Sequence, residues 1–286
     1  MSKSKIKRKL IGFIGQGWIG KNYADNFEVR GHDVVRYSLD DAYVNNREHI
    51  KNCDIVFIAV PTPTIKGGKF ETKAIEKVLP LIGKGKMAVI KSTILPGTTE
   101  KLQKKFPNVI ILHSPEFLTE ATAARDAAYP DRNIVGMPVE SEKYRAAAQE
   151  VISVLAPAPY TAITGAREAE LIKYGGNCWF YAKVIFINIL YDLAQIQGAD
   201  WASVRDGMAA DPRVGRTHLD PIHKTGRGAG GHCFIKDFAA LRAMYEKEFP
   251  HDKKGIDVLR SMEIKNIELL KSTHKDLDLL KGVYGK

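Results

Sequence analysis

An apolar run at residues 10–15 passes directly into Gly15-Gln16-Gly17-Trp18-Ile19-Gly20, and a helical stretch at 18–30 follows. Strand, glycine turn and helix in that order narrow the fold more than any other feature of the chain. Glycine at 15 permits a tight turn, glycine at 17 lets a pyrophosphate approach the backbone, and glycine at 20 lets helix and strand pack closely. The helix N-terminus, with Trp18 and Ile19 in its first turn, then faces the phosphates.

The rest of the first half repeats the alternation. Residues 32–37, 54–60, 87–91, 109–113 and 133–137 read as strands; 71–81, 98–105 and 141–155 read as helices. Asp54-Ile55-Val56-Phe57-Ile58-Ala59-Val60 is apolar after its first residue, as suits a central strand buried on both faces. The expected fold class is α/β. A doubly wound parallel sheet of Rossmann type, residues 1–164, binds a dinucleotide, and an all-helical domain, residues 165–286, follows it. The second domain opens with a long apolar helix at 168–197, then helices at 201–209, 234–248 and 253–280 around a Gly-, Pro- and His-rich loop at 211–232. A helix apolar on nearly every face belongs in a protein centre or across a dimer interface, so a homodimer through 165–197 is expected.

The formal charge of +10 comes from 43 Lys and Arg against 33 acids. Residues 1–9, which hold five basic side chains, read as a frayed arm, and an anionic nucleotide accounts for the remaining charge as well as nucleic acid does. The most apolar stretch, 178–196, carries Lys183, Asn188, Asp192 and Gln195 and reads as a core helix, not a membrane span. Cys53, Cys178 and Cys233 are an odd, widely spaced set, which suits a reducing cytoplasm and argues against a disulfide scaffold or structural zinc. No metal site is expected. The acid that grips the adenosine ribose should end the second strand, where the chain reads Arg36-Tyr37-Ser38-Leu39-Asp40. Ser38 leaves room for a 2′-phosphate that Arg36 would pair with, while Asp40 or Asp41 would reach a ribose hydroxyl. NAD is the expected cofactor, with NADP left open.

Three segments follow strands at their carboxyl ends, where such a sheet binds ligands. They are Val60-Pro61-Thr62-Pro63, Lys91-Ser92-Thr93-Ile94-Leu95-Pro96-Gly97-Thr98 and Ser114-Pro115-Glu116-Phe117-Leu118-Thr119-Glu120. In the second half, Gly226-Arg227-Gly228-Ala229-Gly230-Gly231-His232-Cys233-Phe234-Ile235-Lys236-Asp237 joins a glycine loop to a helix start. With Glu170-Leu171-Ile172-Lys173-Tyr174 and Asn177, these segments in this order resemble the UDP-glucose/GDP-mannose dehydrogenase family.

The resemblance implies oxidation of a sugar primary alcohol to the carboxylate in two hydride transfers, through a thioester on Cys233. It implies that Lys173 and Asn177 stabilise the reacting oxygen, that Asp237 serves as general base, and that Thr93, Glu116 and Glu120 hold a catalytic water and line the site. Val60, Pro61, Thr62, Thr93 and Glu120 join the expected cofactor contacts; Glu116, Phe117, Leu118, Lys173, Asn177, Gly228 and Gly230 join the substrate contacts. The residues make sense of that chemistry, since helix N-terminal amides and the nearby Lys236 both favour a thiolate at Cys233. The chain departs from the family's usual residues at Ser114, Ala229, His232 and Ile235, which points to a different sugar. Full-size relatives also carry a C-terminal domain that binds the nucleotide half of the substrate. The sequence ends at Lys286, where that domain would begin, so a smaller substrate, a partner protein or a truncation is expected.

Two other readings compete. A two-electron hydroxyacid dehydrogenase of the 6-phosphogluconate or β-hydroxyacid type also uses a Lys-x-x-x-Asn pair, but has no use for a thiol nucleophile. A non-catalytic dinucleotide- or nucleic-acid-binding protein would show steeply salt-dependent DNA affinity.

Overall fold

The computed structural model describes residues 9–65 and 69–284, so the basic arm at 1–9 lies almost wholly outside the described residues. The chain divides into two compact units, one of residues 1–63 and 71–173, the other of 64–70 and 174–286.

In the first unit, β1 (Leu10–Ile14), α1 (Trp18–Val29), β2 (Asp33–Tyr37) and a 3-10 segment (Val44–Asn52) precede β3 (Ile55–Ile58). The short strands β4 (Thr64–Ile65) and β5 (Lys69–Phe70) pair with each other and group with the second unit. Then come α2 (Lys73–Val78), β6 (Met87–Ile90), α3 (Thr98–Lys105), β7 (Ile110–His113), α4 (Ala123–Ala128), β8 (Arg132–Met137), α5 (Glu142–Val154) and β9 (Tyr160–Gly165). The sheet runs β2-β1-β3-β6-β7-β8-β9. The chain leaves β1 toward β2 and returns on the other side as β3, which puts the switch point at the carboxyl ends of β1 and β3.

Alternation sorts the core onto two faces. Ile55 and Phe57 join Phe13, Phe27 and Val89 on one face; Val56 and Ile58 join Ile14, Leu79 and Ile90 on the other. Phe13 stacks on Phe57 at 5.0 Å between centroids, with Phe27 edge-on to both. Each such ring contributes about 2–3 kcal/mol by burial alone.

The sheet is mixed, not parallel throughout: β8 runs antiparallel to β7, and β9 then pairs parallel with β8. The sequence reading missed β9 and α4. Tyr160-Thr161-Ala162-Ile163-Thr164-Gly165 has too few apolar residues to announce a strand, and as the edge strand it pairs only with β8.

Helix α6 spans Ala166–Ile196, and the division between the units falls inside it. The second unit continues with α7 (Trp201–Ala209), a two-strand hairpin of β10 (Ile222–His223) and β11 (Gly226–Arg227), α8 (Gly231–Glu248), α9 (Lys253–Ser272) and α10 (Leu277–Tyr284). Asp200 and Asp252 cap α7 and α9 by accepting from Ser203 N and Gly255 N. Tyr181 stacks on Phe238 at 3.9 Å, while Ile235, Leu270 and Leu280 close a small apolar cluster. Among the described residues no helix is long and apolar enough to cross a membrane.

Two expectations are corrected here. The single helix expected at 253–280 is two helices, broken at Thr273–Asp276, where His274 and Asp276 take left-handed φ values of 55° and 54°. The helix expected from 234 begins at Gly231, so Cys233 lies inside its first turn.

Candidate functional site

The glycine turn is built from backbone contacts within the first unit. Gly15 has φ +90°, and a Cβ there would collide with the carbonyl oxygen of Ala59 at the end of β3. A Cβ on Gly20 would collide with the carbonyl oxygen of Gly15. Both glycines are therefore required by the close passage of α1 over β1 and β3. Gly17 differs: it caps α1 in extended conformation, and a Cβ there would meet nothing within 4 Å. No side chain caps the helix and its first turn holds no acid. Open space before uncapped amides fits a pyrophosphate. Trp18 is partly exposed beside that space, and Ile19 packs against the core.

At the far end of β2 the Ser38 hydroxyl donates to Asp40 Oδ2 at 2.8 Å, and Asp40 N donates back to the hydroxyl at 3.3 Å. Arg36 is engaged elsewhere: it makes a two-pronged bond to Glu28 at 3.0 and 2.7 Å and reaches Asp25 at 2.7 Å.

The loops after β3 and β6 are tied together, since Thr62 Oγ1 donates to the Thr93 carbonyl at 2.8 Å and Ser92 Oγ donates to the Val60 carbonyl at 2.7 Å. Pro61 stands exposed between Val60 and Thr62. The loop after β7 carries Glu116, which is 2% exposed. Its Oε1 pairs with Lys173 Nζ at 2.8 Å, and its Oε2 accepts from Leu118 N at 2.8 Å. Lys173 is itself buried, with the Phe117 ring 5.8 Å away. The carboxylate thus has both oxygens hydrogen-bonded within the buried pair, as a buried ion pair requires. Glu120, by contrast, opens an exposed 3-10 turn.

Glu170, one turn before Lys173, explains how α6 is held in the first unit. Its carboxylate accepts from Gly97 N, Thr99 N and Thr99 Oγ1 at 2.5, 2.8 and 2.6 Å, at the N-terminus of α3. The sequence reading also missed Lys91 and His113 as a buried polar group. Lys91, 3% exposed, donates to Ser114 Oγ at 3.2 Å and lies 4.3 Å from the Tyr23 ring centre. Burial pulls its ammonium down to about 7 despite the charge of Glu116. His113 is fully buried, and burial beside Lys91 and Lys173 holds it neutral, at about 3, against a weaker pull from the Ile90 backbone.

In the second unit Asn177 Nδ2 donates to Asp237 Oδ2 at 2.6 Å, and Asp237 is fully buried. Cys233 is partly exposed in the first turn of α8, one turn before Asp237. The other two cysteines are buried; burial pushes the Cys53 thiol up to about 11 and the Cys178 thiol higher still. Lys236 Nζ sits 4.5 Å from the centre of the Phe70 ring, and Phe70 packs edge-on against Tyr174. Gly228 and Gly230 lie in the loop before α8, their backbone pressed against α9 and the turn after it.

Residues 41–155 match the model of the UDP-glucose/GDP-mannose dehydrogenase family, NAD binding domain, and residues 167–263 match that family's central domain. The chain belongs to the UDP-glucose/GDP-mannose dehydrogenase family. It is 34% identical over 277 residues to the UDP-glucose 6-dehydrogenase of Rickettsia prowazekii, covering 82% of this chain and 62% of that protein. The solved UDP-glucose dehydrogenase from the archaeon Pyrobaculum islandicum superposes with a TM-score of 0.79 at 24% identity, covering 100% of this chain and 73% of that one. The 3-hydroxyisobutyrate dehydrogenase of Mycobacterium tuberculosis shares the fold over 97% of this chain and 99% of its own, with a TM-score of 0.71 at 16% identity. The chain spans less than two thirds of the length of the Rickettsia family members.

Proposed function

We propose that the chain oxidises the primary alcohol of a nucleotide-linked sugar to a carboxylate, using NAD in two successive hydride transfers. Cys233 carries this reading: a partly exposed thiol in a helix's first turn, where the other two cysteines are buried. Bound along the glycine turn, NAD supplies the hydride acceptor. Asp237, oriented by Asn177, takes the hydroxyl proton as the first hydride leaves, and Lys173 stabilises the oxygen while charge builds there. The Cys233 thiolate adds to the aldehyde carbon, forming a thiohemiacetal whose oxyanion Lys173 and Asn177 stabilise. Loss of the second hydride leaves a thioester on Cys233. Asp237, its proton released to solvent, activates a water that attacks the thioester carbon, and the thiolate departs from the acid. Glu116 holds Lys173 in place through their ion pair, and Thr93 and Glu120 line the path of water and cofactor.

The ribose end supports NAD over NADP, because Arg36 is held by Asp25 and Glu28 while Asp40 stands where a 2′-phosphate would be repelled. A homodimer through α6 is supported by Trp179, Phe186, Ile189, Leu193 and Ile196. All are more than half exposed, with the last four at spacings of three and four. A reducing compartment such as the cytoplasm suits an enzyme that needs a free thiol.

The test counts reduced cofactor per acid formed from a panel of nucleotide sugars. Two per acid is expected, and Cys233→Ser should keep cofactor affinity while acid output stops. One reduced cofactor per product, with full activity in Cys233→Ser, would point to two-electron hydroxyacid oxidation, the reading that the 3-hydroxyisobutyrate dehydrogenase fold favours.

A further inference from the structure

The loop that leads into Cys233 has little backbone pairing of its own beyond the two-residue strand β11, which meets β10 at Gly226 and Arg227. Residues 226–231 include four glycines, and Gly228 takes a φ of +88°. Yet six of the loop's backbone groups are met by four side chains from about forty residues further along the chain. Lys275 Nζ donates to the carbonyls of Gly226 and Gly228 at 3.3 and 2.9 Å. Thr273 Oγ1 accepts from Arg227 N at 3.0 Å. Asn266 brackets one peptide unit, accepting from Ala229 N at 2.7 Å and donating to the Ala229 carbonyl at 3.0 Å. Asp276 Oδ2 accepts from Gly231 N, the first residue of α8, at 2.7 Å.

A second, independent observation agrees. A Cβ on Gly226 would strike Thr273 Oγ1; on Gly228 it would meet Asn266 Oδ1 at 3.0 Å and Leu269 Cβ at 3.1 Å. On Gly230 it would strike Asp276 Oδ2 and press Lys275 Cε at 2.8 Å. The alternate glycines are thus needed where these side chains press on the loop from behind. The holding residues are themselves fixed. Asn266 and Lys275 are buried, and the turn keeps His274 and Asp276 in a left-handed conformation that L-residues rarely adopt unless their surroundings impose it.

We propose that Asn266, Thr273, Lys275 and Asp276 form a clamp that sets where the Cys233 sulfur is presented. They are positioning residues for the nucleophile. The inference deepens the reading of Cys233 as nucleophile and rests on it. The loop passes straight into the first turn of α8, so any slack in residues 226–231 becomes displacement of the sulfur two residues on. A shift of about 1 Å at a reacting atom costs about 10²-fold in rate.

The experiment replaces Asn266 with Ala and follows alkylation of Cys233 by iodoacetamide, quantified on the Cys233 peptide, with neither cofactor nor substrate present. Thermal unfolding and NAD affinity are measured alongside. The clamp predicts an alkylation rate changed by about fivefold or more and kcat lowered about 10²-fold, with NAD affinity within twofold of the parent. Asn266→Asp keeps the acceptor for Ala229 N and should fall between. If Asn266→Ala does not fold, Thr273→Val, which preserves shape and deletes the bond from Arg227 N together with the hydroxyl's own bond to the Leu269 carbonyl within α9, carries the same test with a smaller effect. A folded Asn266→Ala or Thr273→Val protein with parental alkylation rate and kcat would overturn the clamp. An alkylation rate that responds in a protein that oxidises no sugar would leave the clamp standing and sink the proposed reaction instead.

Discussion

Two glycine loops matter in this molecule, and they are shaped by opposite means. The turn at Gly15–Gly20 is organised by its own neighbourhood: Gly15 lies against the end of β3, and Gly20 lies against Gly15. The loop at 226–231 is organised from outside, by side chains on α9 and the turn that follows it. The first loop needs no polar side chain behind it, because the sheet already fixes its backbone. The second has only the two-residue pairing of β11 with β10 at its start, so the peptide groups beyond it must be satisfied one by one. A self-built turn is the safer place to receive a cofactor, while an externally held loop can be adjusted residue by residue.

Each region also buries a lysine, and replacing both with Met separates the two designs most sharply. Lys91 has one hydroxyl and the rings of Tyr23 and Phe57 for company, whereas Lys275 donates to two backbone carbonyls. The folded-state value of Lys91, about 7, lies below its unfolded value of about 10.4. Between those two values the native state binds fewer protons than the unfolded chain, so this group's contribution to stability rises with pH. Below pH 7 the penalty for burying the charge is fully present. Lys91→Met should therefore stabilise the protein at pH 7, by up to about 4 kcal/mol. The gain should shrink by about 2 kcal/mol by pH 9, as read from urea unfolding at each pH. Lys275→Met should instead destabilise by about 1–3 kcal/mol, because it strips two buried carbonyls. If both variants shift in the same direction at pH 7, the contrast between the regions is lost.

This contrast also explains what the sequence could tell. The glycine fingerprint, the apolar strand 55–58 and the boundaries of α3 and α7 follow from residues close together in the chain, so they were legible. The break at Thr273–Asp276 was not. Ser272-Thr273-His274-Lys275-Asp276 contains neither Gly nor Pro, and Lys275 and the left-handed Asp276 are bonded to a loop some forty residues earlier. Lys173 and Glu116 each stand in a motif, but their pairing depends on α6 being seated by Glu170, a motif residue to which the sequence attaches no role. The antiparallel entry of β8 is likewise a tertiary choice, marked by a single pairing at His113 and Gly136. Gly228 and Gly230 were read as substrate contacts, and the structure gives their lack of a side chain a second reason, the pressure of Asn266, Lys275 and Asp276.

Within the self-built turn, Gly17 and Gly20 should respond differently to alanine. Gly20→Ala drives a methyl into the Gly15 carbonyl and should destabilise by about 1–3 kcal/mol, lowering Tm and weakening NAD together. Gly17→Ala meets no atom of the protein, so Tm should hold while NAD affinity falls, the methyl occupying space meant for the pyrophosphate. Equal Tm losses from the two would mean that the turn is not braced by the contact between Gly15 and Gly20.

The smallest expected effect lies at the ribose end of the same region, where discrimination rests on side chains after all. Asp40 is oriented by Ser38, and Arg36 is engaged by Asp25 and Glu28. A cofactor carrying a 2′-phosphate would place its charge beside the Asp40 carboxylate with no free guanidinium to offset it. Like charges set against each other penalise the wrong ligand more than good contacts reward the right one. Asp40→Asn removes the repulsion and keeps an acceptor for Ser38, so the ratio of NAD to NADP affinity should fall by about tenfold, roughly 1.4 kcal/mol. Adding Glu28→Gln loosens one of Arg36's two partners and should move the ratio further in the same direction. Both effects are screened by salt, so the titrations are run at low ionic strength and repeated at high. If Asp40→Asn leaves the ratio where it was, the choice of cofactor is made elsewhere on the turn, and side chains matter less to this region than to the loop at Cys233.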